Sequence, residues 1–184
     1  MQTIVVLLRG INVGGRNKIA MKDLQQTFAD LGFVEPTTFI QSGNVVARSR
    51  GANGPKLVRT IERGLSDRFG YTARVVVLDL AQMRTVVRQI PKDWDVDDAS
   101  MRYNVVFTTT AITPKELAKR VAPKPDIEAV KAGTYALYWS APFVTVTKTA
   151  MIKLSAHPDY GELTIRNLRT TRKLLELMRT HAAR

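Results

Sequence analysis

Thr37-Thr38-Phe39-Ile40-Gln41-Ser42-Gly43-Asn44-Val45-Val46-Ala47-Arg48 reads as two strands, Thr37–Gln41 and Val45–Arg48, joined by a polar turn. Both arms are rich in Thr, Phe, Ile and Val, residues that suit a pleated, half-buried surface. Gly43 and Asn44 supply the backbone freedom a tight reversal needs. Moving towards the N-terminus, Met21, Leu24, Phe28 and Leu31 recur at intervals of 3, 4 and 3 residues, one helical face, and Gly32 ends it. Thr3–Arg9 precedes that helix as an apolar strand. Towards the C-terminus, Leu57, Ile61, Leu65 and Phe69 repeat every four residues, Gly70 follows, and Ala73–Asp79 is a further strand. Residues 3–79 thus run strand, helix, strand, turn, strand, helix, strand.

Residues 102–167 run in the same order. Strands are read at Arg102–Thr109, Asp126–Lys131, Thr134–Ser140 and Leu163–Asn167, with Ala132-Gly133 at the place of the first hairpin turn. A helix begins at Pro114 after the capping residue Thr113 and stops before Pro123. Leu168, Thr171, Leu174, Leu175 and Met178 stripe a final helix. The expectation is an α+β protein of two tandem ferredoxin-like βαββαβ units with extra helices. The expected division is residues 1–80, a helical and acidic linker 81–101 containing helix Ala81–Gln89, and residues 102–184. In the linker, Asp93, Asp95, Asp97 and Asp98 flank Trp94 without the glycine and distal Glu of a calcium loop, so a solvated linker is the better reading.

Composition bounds the function classes. The chain has 184 residues, 45% hydrophobic, and carries 28 Lys and Arg against 16 Asp and Glu, a net charge of +12. The excess is spread over both halves. It suits a polyanionic partner, whether nucleic acid, a nucleotide or an anionic membrane surface, or simply a soluble basic surface. With no Cys, disulfides, zinc-thiolate sites and thiol nucleophiles are excluded. No apolar run approaches the roughly 20 residues that span a bilayer, and no cleavage site follows the first strand. A cytoplasmic protein, without membrane attachment, is expected.

The best site candidate is the loop after the first strand. Arg9-Gly10-Ile11-Asn12-Val13-Gly14-Gly15-Arg16-Asn17-Lys18 holds three Gly, two Asn, three cations and no acid. Glycines can turn several backbone N–H groups to one side, and cations favour an anion there. The loop is neither a P-loop, since no Gly-Lys-Ser/Thr ends it, nor a dinucleotide fingerprint. Gln41, Ser42 and Asn44 add hydrogen-bonding groups at the hairpin turn. Arg166 and Asn167 open a second basic cluster where a strand passes into the last helix. No catalytic residue, metal ligand or cofactor is assigned: His157 and His181 lack a paired acid, and His181 lies near a frayed terminus. Tyr138 alternates with Tyr135 and Trp139, so either set is available as a face for stacking bases.

The blocks Leu7-Leu8-Arg9-Gly10-Ile11-Asn12-Val13-Gly14-Gly15, Met21 to Leu31-Gly32-Phe33 and Ile40-Gln41-Ser42-Gly43-Asn44-Val45-Val46 closely resemble the DUF1697 family. Thr164-Ile165-Arg166-Asn167 through Leu174-Leu175 resembles that family's closing motif, with Ile165 and Leu168 departing from its usual Thr and Trp. The resemblance implies tandem ferredoxin-like units and supplies no substrate. The functional expectation is a binding module for a phosphate-bearing ligand, nucleotide or nucleic acid. The alternatives are an enzyme acting on a small anionic metabolite and a structural homodimerising protein, the chain being a monomer or homodimer.

Overall fold

The computed structural model describes residues 1–14 and 17–183. They form two units: Met1–Met83 with Lys173–Arg184, and Arg84–Arg172. In the first unit, strands β1 (Gln2–Leu8), β2 (Val34–Phe39), β3 (Asn44–Ser49) and β4 (Val75–Asp79) make an antiparallel sheet in the order β2-β3-β1-β4. Helices α1 (Met21–Asp30) and α2 (Pro55–Phe69) make the two crossovers. This is the ferredoxin-like strand order expected from the alternation of elements.

Ile4, Val6 and Leu8 of β1 join Val45 and Ala47 of β3 and Val75 and Val77 of β4 in one core. Leu24 and Phe28 of α1 and Ile61 and Leu65 of α2 close that core, and both helices show the periodicity read from the sequence. Each such side chain stabilises the fold by about 1.5–3 kcal/mol when fully buried. α2 stops at Gly70, whose φ of +68° forms a left-handed cap.

The opposite face of this sheet is also buried, with Val5, Leu7, Val46, Val76 and Leu78 all nearly inaccessible. The end of the last helix, α5 (Leu168–Ala182), reaches that face. His181, expected to fray, is instead 4% exposed. Its ring Nε2 lies 3.1 Å from Thr37 Oγ1, and Thr37 pairs with Val46 on the same face. A terminal residue orders when tertiary contacts cover it, whatever its distance from the chain end.

In the second unit, β5 (Met101–Thr108), β6 (Ala129–Ala132), β7 (Ala136–Pro142) and β8 (Leu163–Asn167) repeat the order as β6-β7-β5-β8, again antiparallel. Helix α4 (Pro114–Val121) opens with a capping box, since Thr113 and Glu116 each bond the other's backbone N–H. The segment between β7 and β8 departs from the expected repeat. Where the first unit has a 15-residue helix, this one has three short 3-10 segments, Val146–Lys148, Met151–Ala156 and Pro158–Glu162. Pro158, Gly161 and the Thr-Val-Thr run of residues 145–147 offer no sustained helical stripe.

A buried carboxylate organises this segment. Glu128 is 5% exposed. Its Oε2 accepts from Trp139 Nε1 at 2.8 Å and from the Met151 N–H at 3.3 Å, and its Oε1 from the N–H groups of Lys124 and Ala150 at 2.9 and 2.7 Å. Burial alone would raise its pKa, but these donors outweigh burial and hold it below the usual carboxylate range.

Tyr138 and Trp139, on opposite faces of the second sheet, are both closed to stacking bases, and Tyr135 lies just before β7, half-buried. Tyr138 is fully buried and Trp139 3% exposed. Tyr138 donates to the Val86 carbonyl at 2.6 Å and meets Trp94 edge-on at 6.1 Å. Trp94, in the expected linker, also packs on Tyr103 at 4.9 Å. Between α3 (Leu80–Arg88) and β5 the chain is therefore anchored by an indole, and two of its acids have partners: Asp98 accepts from Ser100, and Asp97 pairs with Arg169 at 2.9 Å.

Because the folded-state pKa of Glu128 is depressed, its stabilisation is present above the unfolded value of about 4.3 and is lost as pH falls through the folded one. The Glu128→Gln variant is expected to be less stable at pH 7. Urea denaturation from pH 7 to pH 3 should show that deficit shrinking with acidification; a deficit constant across the range would remove the carboxylate from the account.

Candidate functional site

β1 ends at Leu8, paired with Val75, and the Arg9 N–H donates to the Arg74 carbonyl at 3.0 Å. The chain then leaves the sheet through Gly10, at φ +66°. Two apolar residues anchor the loop: Ile11 and Ile19 are 1% and 4% exposed in the first core. Between them Asn12 adopts φ +54°, a conformation that asparagine tolerates better than most side chains. Its Nδ2 donates to the carbonyls of Ile19 and Gln41 at 2.9 and 3.0 Å, and its Oδ1 accepts from the Ile19 N–H at 2.9 Å. Asn17, at φ +46°, donates from Nδ2 to the Gly10 carbonyl at 3.0 Å, and its own carbonyl accepts from the Asn12 N–H. The two asparagines thus lace the loop shut, leaving Val13, Gly14 and Lys18 exposed.

The Asn12–Gln41 bond brings the hairpin turn to the loop. The turn is held from the strand side as well, since the Leu8 N–H donates to the Gly43 carbonyl at 2.8 Å. Gly43 sits at φ +71°, and a Cβ there would lie 2.7 Å from Ile11 Cδ1 and 2.8 Å from Leu8 Cβ. Only glycine meets both demands. Asn44 is buried and donates to the Phe39 carbonyl and Ser42 Oγ at 2.9 and 3.0 Å. Ile40, a β-branched residue at φ +50°, enters the turn half-exposed, a strained conformation that the surrounding contacts impose.

Among the described residues, the first-unit candidates therefore lie on segments that meet at one corner of one sheet. Their roles divide. Asn12, Asn17 and Asn44 shape the backbone and Gly10, Gly14 and Gly43 permit it, while Lys18 and Gln41 are exposed and Arg9 is half-buried. Helix α1 starts beside the loop with Ala20 at its N-cap and no side-chain cap bond. Gly15 and Arg16 lie outside the described residues.

Arg166 and Asn167 belong to the second unit. Arg166 is 6% exposed. Its Nη1 donates to Thr164 Oγ1 and the Ile165 carbonyl at 2.7 and 2.8 Å, and burial pulls its pKa down to about 10. Asn167 caps α5, its Oδ1 accepting from the Thr170 N–H at 2.7 Å. His157 is likewise occupied: Nδ1 accepts from the Asp159 N–H at 3.2 Å and opens a 3-10 turn. Glu128 escaped the sequence reading because an acid in a short edge segment looks solvated until its donors arrive from residues 22–23 positions away.

Comparison with known proteins gives a consistent picture. The model of a family described as a protein of unknown function, DUF1697, matches residues 1–138. The solved structure of a conserved bacterial protein from Streptococcus pneumoniae is similar, with a TM-score of 0.84 and 27% identity over 96% of this chain and 98% of that chain. No curated protein matches.

Two substitutions probe the corner. Asn12→Ala removes three hydrogen bonds and is expected to cost about 1–3 kcal/mol, while speeding hydrogen exchange at the Ile19 amide. Gly43→Ala is expected to cost at least about 2 kcal/mol through strain and overpacking. Shifts of the urea midpoint measure both; a neutral Gly43→Ala would show that Ile11 and Leu8 yield freely.

Proposed function

The chain belongs to the DUF1697 family, whose description assigns no activity, and from that premise we propose that it binds a phosphate-bearing ligand, a nucleotide or nucleic acid, at the loop–hairpin corner. The observation that carries this reading is the Asn12 Nδ2–Gln41 carbonyl bond of 3.0 Å. It ties the hairpin turn, with exposed Gln41 and half-buried Ser42, to a glycine-rich loop whose sequence carries Arg9 and Lys18. No acid lies between Gly10 and Lys22. An anion there would offset cations that otherwise crowd the start of α1, where the helix dipole opposes positive charge. The net charge of +12 supports the same sign of ligand, and a cytoplasmic location goes with it. Among the described residues no helix is long and apolar enough to cross a membrane.

The test is calorimetric titration of the protein with ADP and with inorganic phosphate, for the natural chain and the Arg9→Gln/Lys18→Gln variant. Binding by the natural chain, weakened about tenfold or more in the variant, is expected from the loss of charge-assisted hydrogen bonds worth about 1.5–3 kcal/mol each. Equal affinity in the two proteins, or no binding of any phosphate compound, would sink the reading.

A further inference from the structure

A second cationic feature of the first unit starts where the loop starts. α2 and the connection into β4 enclose an open cleft of about 530 Å³ lined by Lys56, Arg59, Arg63 and Arg74. Lys56, Arg59 and Arg63 are spaced by 3 and 4 residues, which sets them on one side of α2, opposite the apolar stripe of Ile61 and Leu65. All three are exposed. Over seven residues the row extends about 10 Å along the helix axis.

Two acids stand near it. Glu62 is bound into the scaffold, its Oε1 accepting from the Val75 N–H at 3.1 Å and its Oε2 lying 3.6 Å from Arg74 Nη1. Asp67 lies 3.7 Å from Arg63 Nε on a fully solvated surface, a pairing worth little and readily exchanged for another anion. The row keeps a positive balance.

The cleft joins the corner through the backbone, since the carbonyl of Arg74 accepts the Arg9 N–H at 3.0 Å. We infer that the ligand is a double-stranded nucleic acid whose phosphate backbone runs from Arg9 and Lys18 at the corner past Arg74 and along Arg63, Arg59 and Lys56. The inference rests on the anion reading of the corner and lengthens it. A mononucleotide has no use for a row of cations a helix turn and more away, whereas a duplex offers one charge per about 1.7 Å of its axis. Among the described residues, none of the exposed large apolar side chains lines the cleft. Along the cleft, that disfavours both stacking on unpaired bases, which needs aromatic platforms, and insertion into an anionic bilayer, which needs apolar ones; Val13 and Ile40 are exposed only at the corner.

Fluorescence anisotropy with a labelled 20-base-pair DNA duplex, read across a salt series, tests this. The four cleft cations alone contribute about −3.6 to the slope of log affinity against log salt, so the slope should be at least that steep, and the Arg59→Gln/Arg63→Gln variant should flatten it by about 1.8. That variant should also bind at least tenfold more weakly at 0.1 M salt, with an unchanged thermal midpoint. Unchanged duplex affinity and slope in it would overturn the cleft inference. If Arg9→Gln/Lys18→Gln still weakened ADP binding, the corner reading would survive that failure. Loss of duplex binding in the α2 variant alone would uphold the cleft and count against the corner. Binding to vesicles of anionic lipid without binding to the duplex would overturn the inference in favour of a membrane surface.

Discussion

The first unit depends on a strand that has no solvent face. Along β1, Ile4, Val5, Val6 and Leu7 are all fully buried, so both sides of the central strand need covers. α1 and α2 cover one side. On the other, the last helix contributes His181 at Thr37, bringing residues from the far end of the sequence into the first sheet. The chain cannot cover the second face of this sheet until its last turns are present. A continuous apolar run such as Ile4–Leu8 states this demand in the sequence, because a half-solvated strand would alternate.

With both faces occupied, the sheet can present chemistry only at its ends. The loop after β1, the β2–β3 turn and the start of β4 all lie at one such end, held by the Leu8–Gly43 and Arg9–Arg74 backbone bonds. The corner is therefore a product of strand order. In the arrangement β2-β3-β1-β4, the exit of the central strand falls between the hairpin turn and the entry of the outer strand. Glycine and asparagine supply the backbone conformations that let the three segments close on one another.

Much of this was legible beforehand. β8 begins and ends where its composition placed it, α1 and α2 follow the apolar spacing, and α4 runs between the prolines that bound it, because local pattern and tertiary demand agree there. What escaped notice depended on contacts distant in sequence. His181 and Trp94 looked solvated because nothing nearby revealed their partners. Tyr138 and Trp139 were open to either face because alternation alone cannot say that both faces will be covered. The candidate loop was recognisable from its glycines and cations, but the asparagines read as ligand donors spend their amides on the loop itself. Arg166 and Asn167 likewise serve a strand and a helix cap.

The four bonds to Glu128 have a consequence for the order in which the second unit forms. The segment from Val146 to Glu162 has no regular helix to propagate by itself, and its anchor is a carboxylate on the far side of the β6–β7 hairpin. Closing that connection costs loop entropy before any bond repays it. Trp139 must already be seated on β7 for the carboxylate to be aimed. The segment is thus contingent on the hairpin for its anchor, whereas the helix at the equivalent place in the first unit makes its backbone hydrogen bonds within its own fifteen residues.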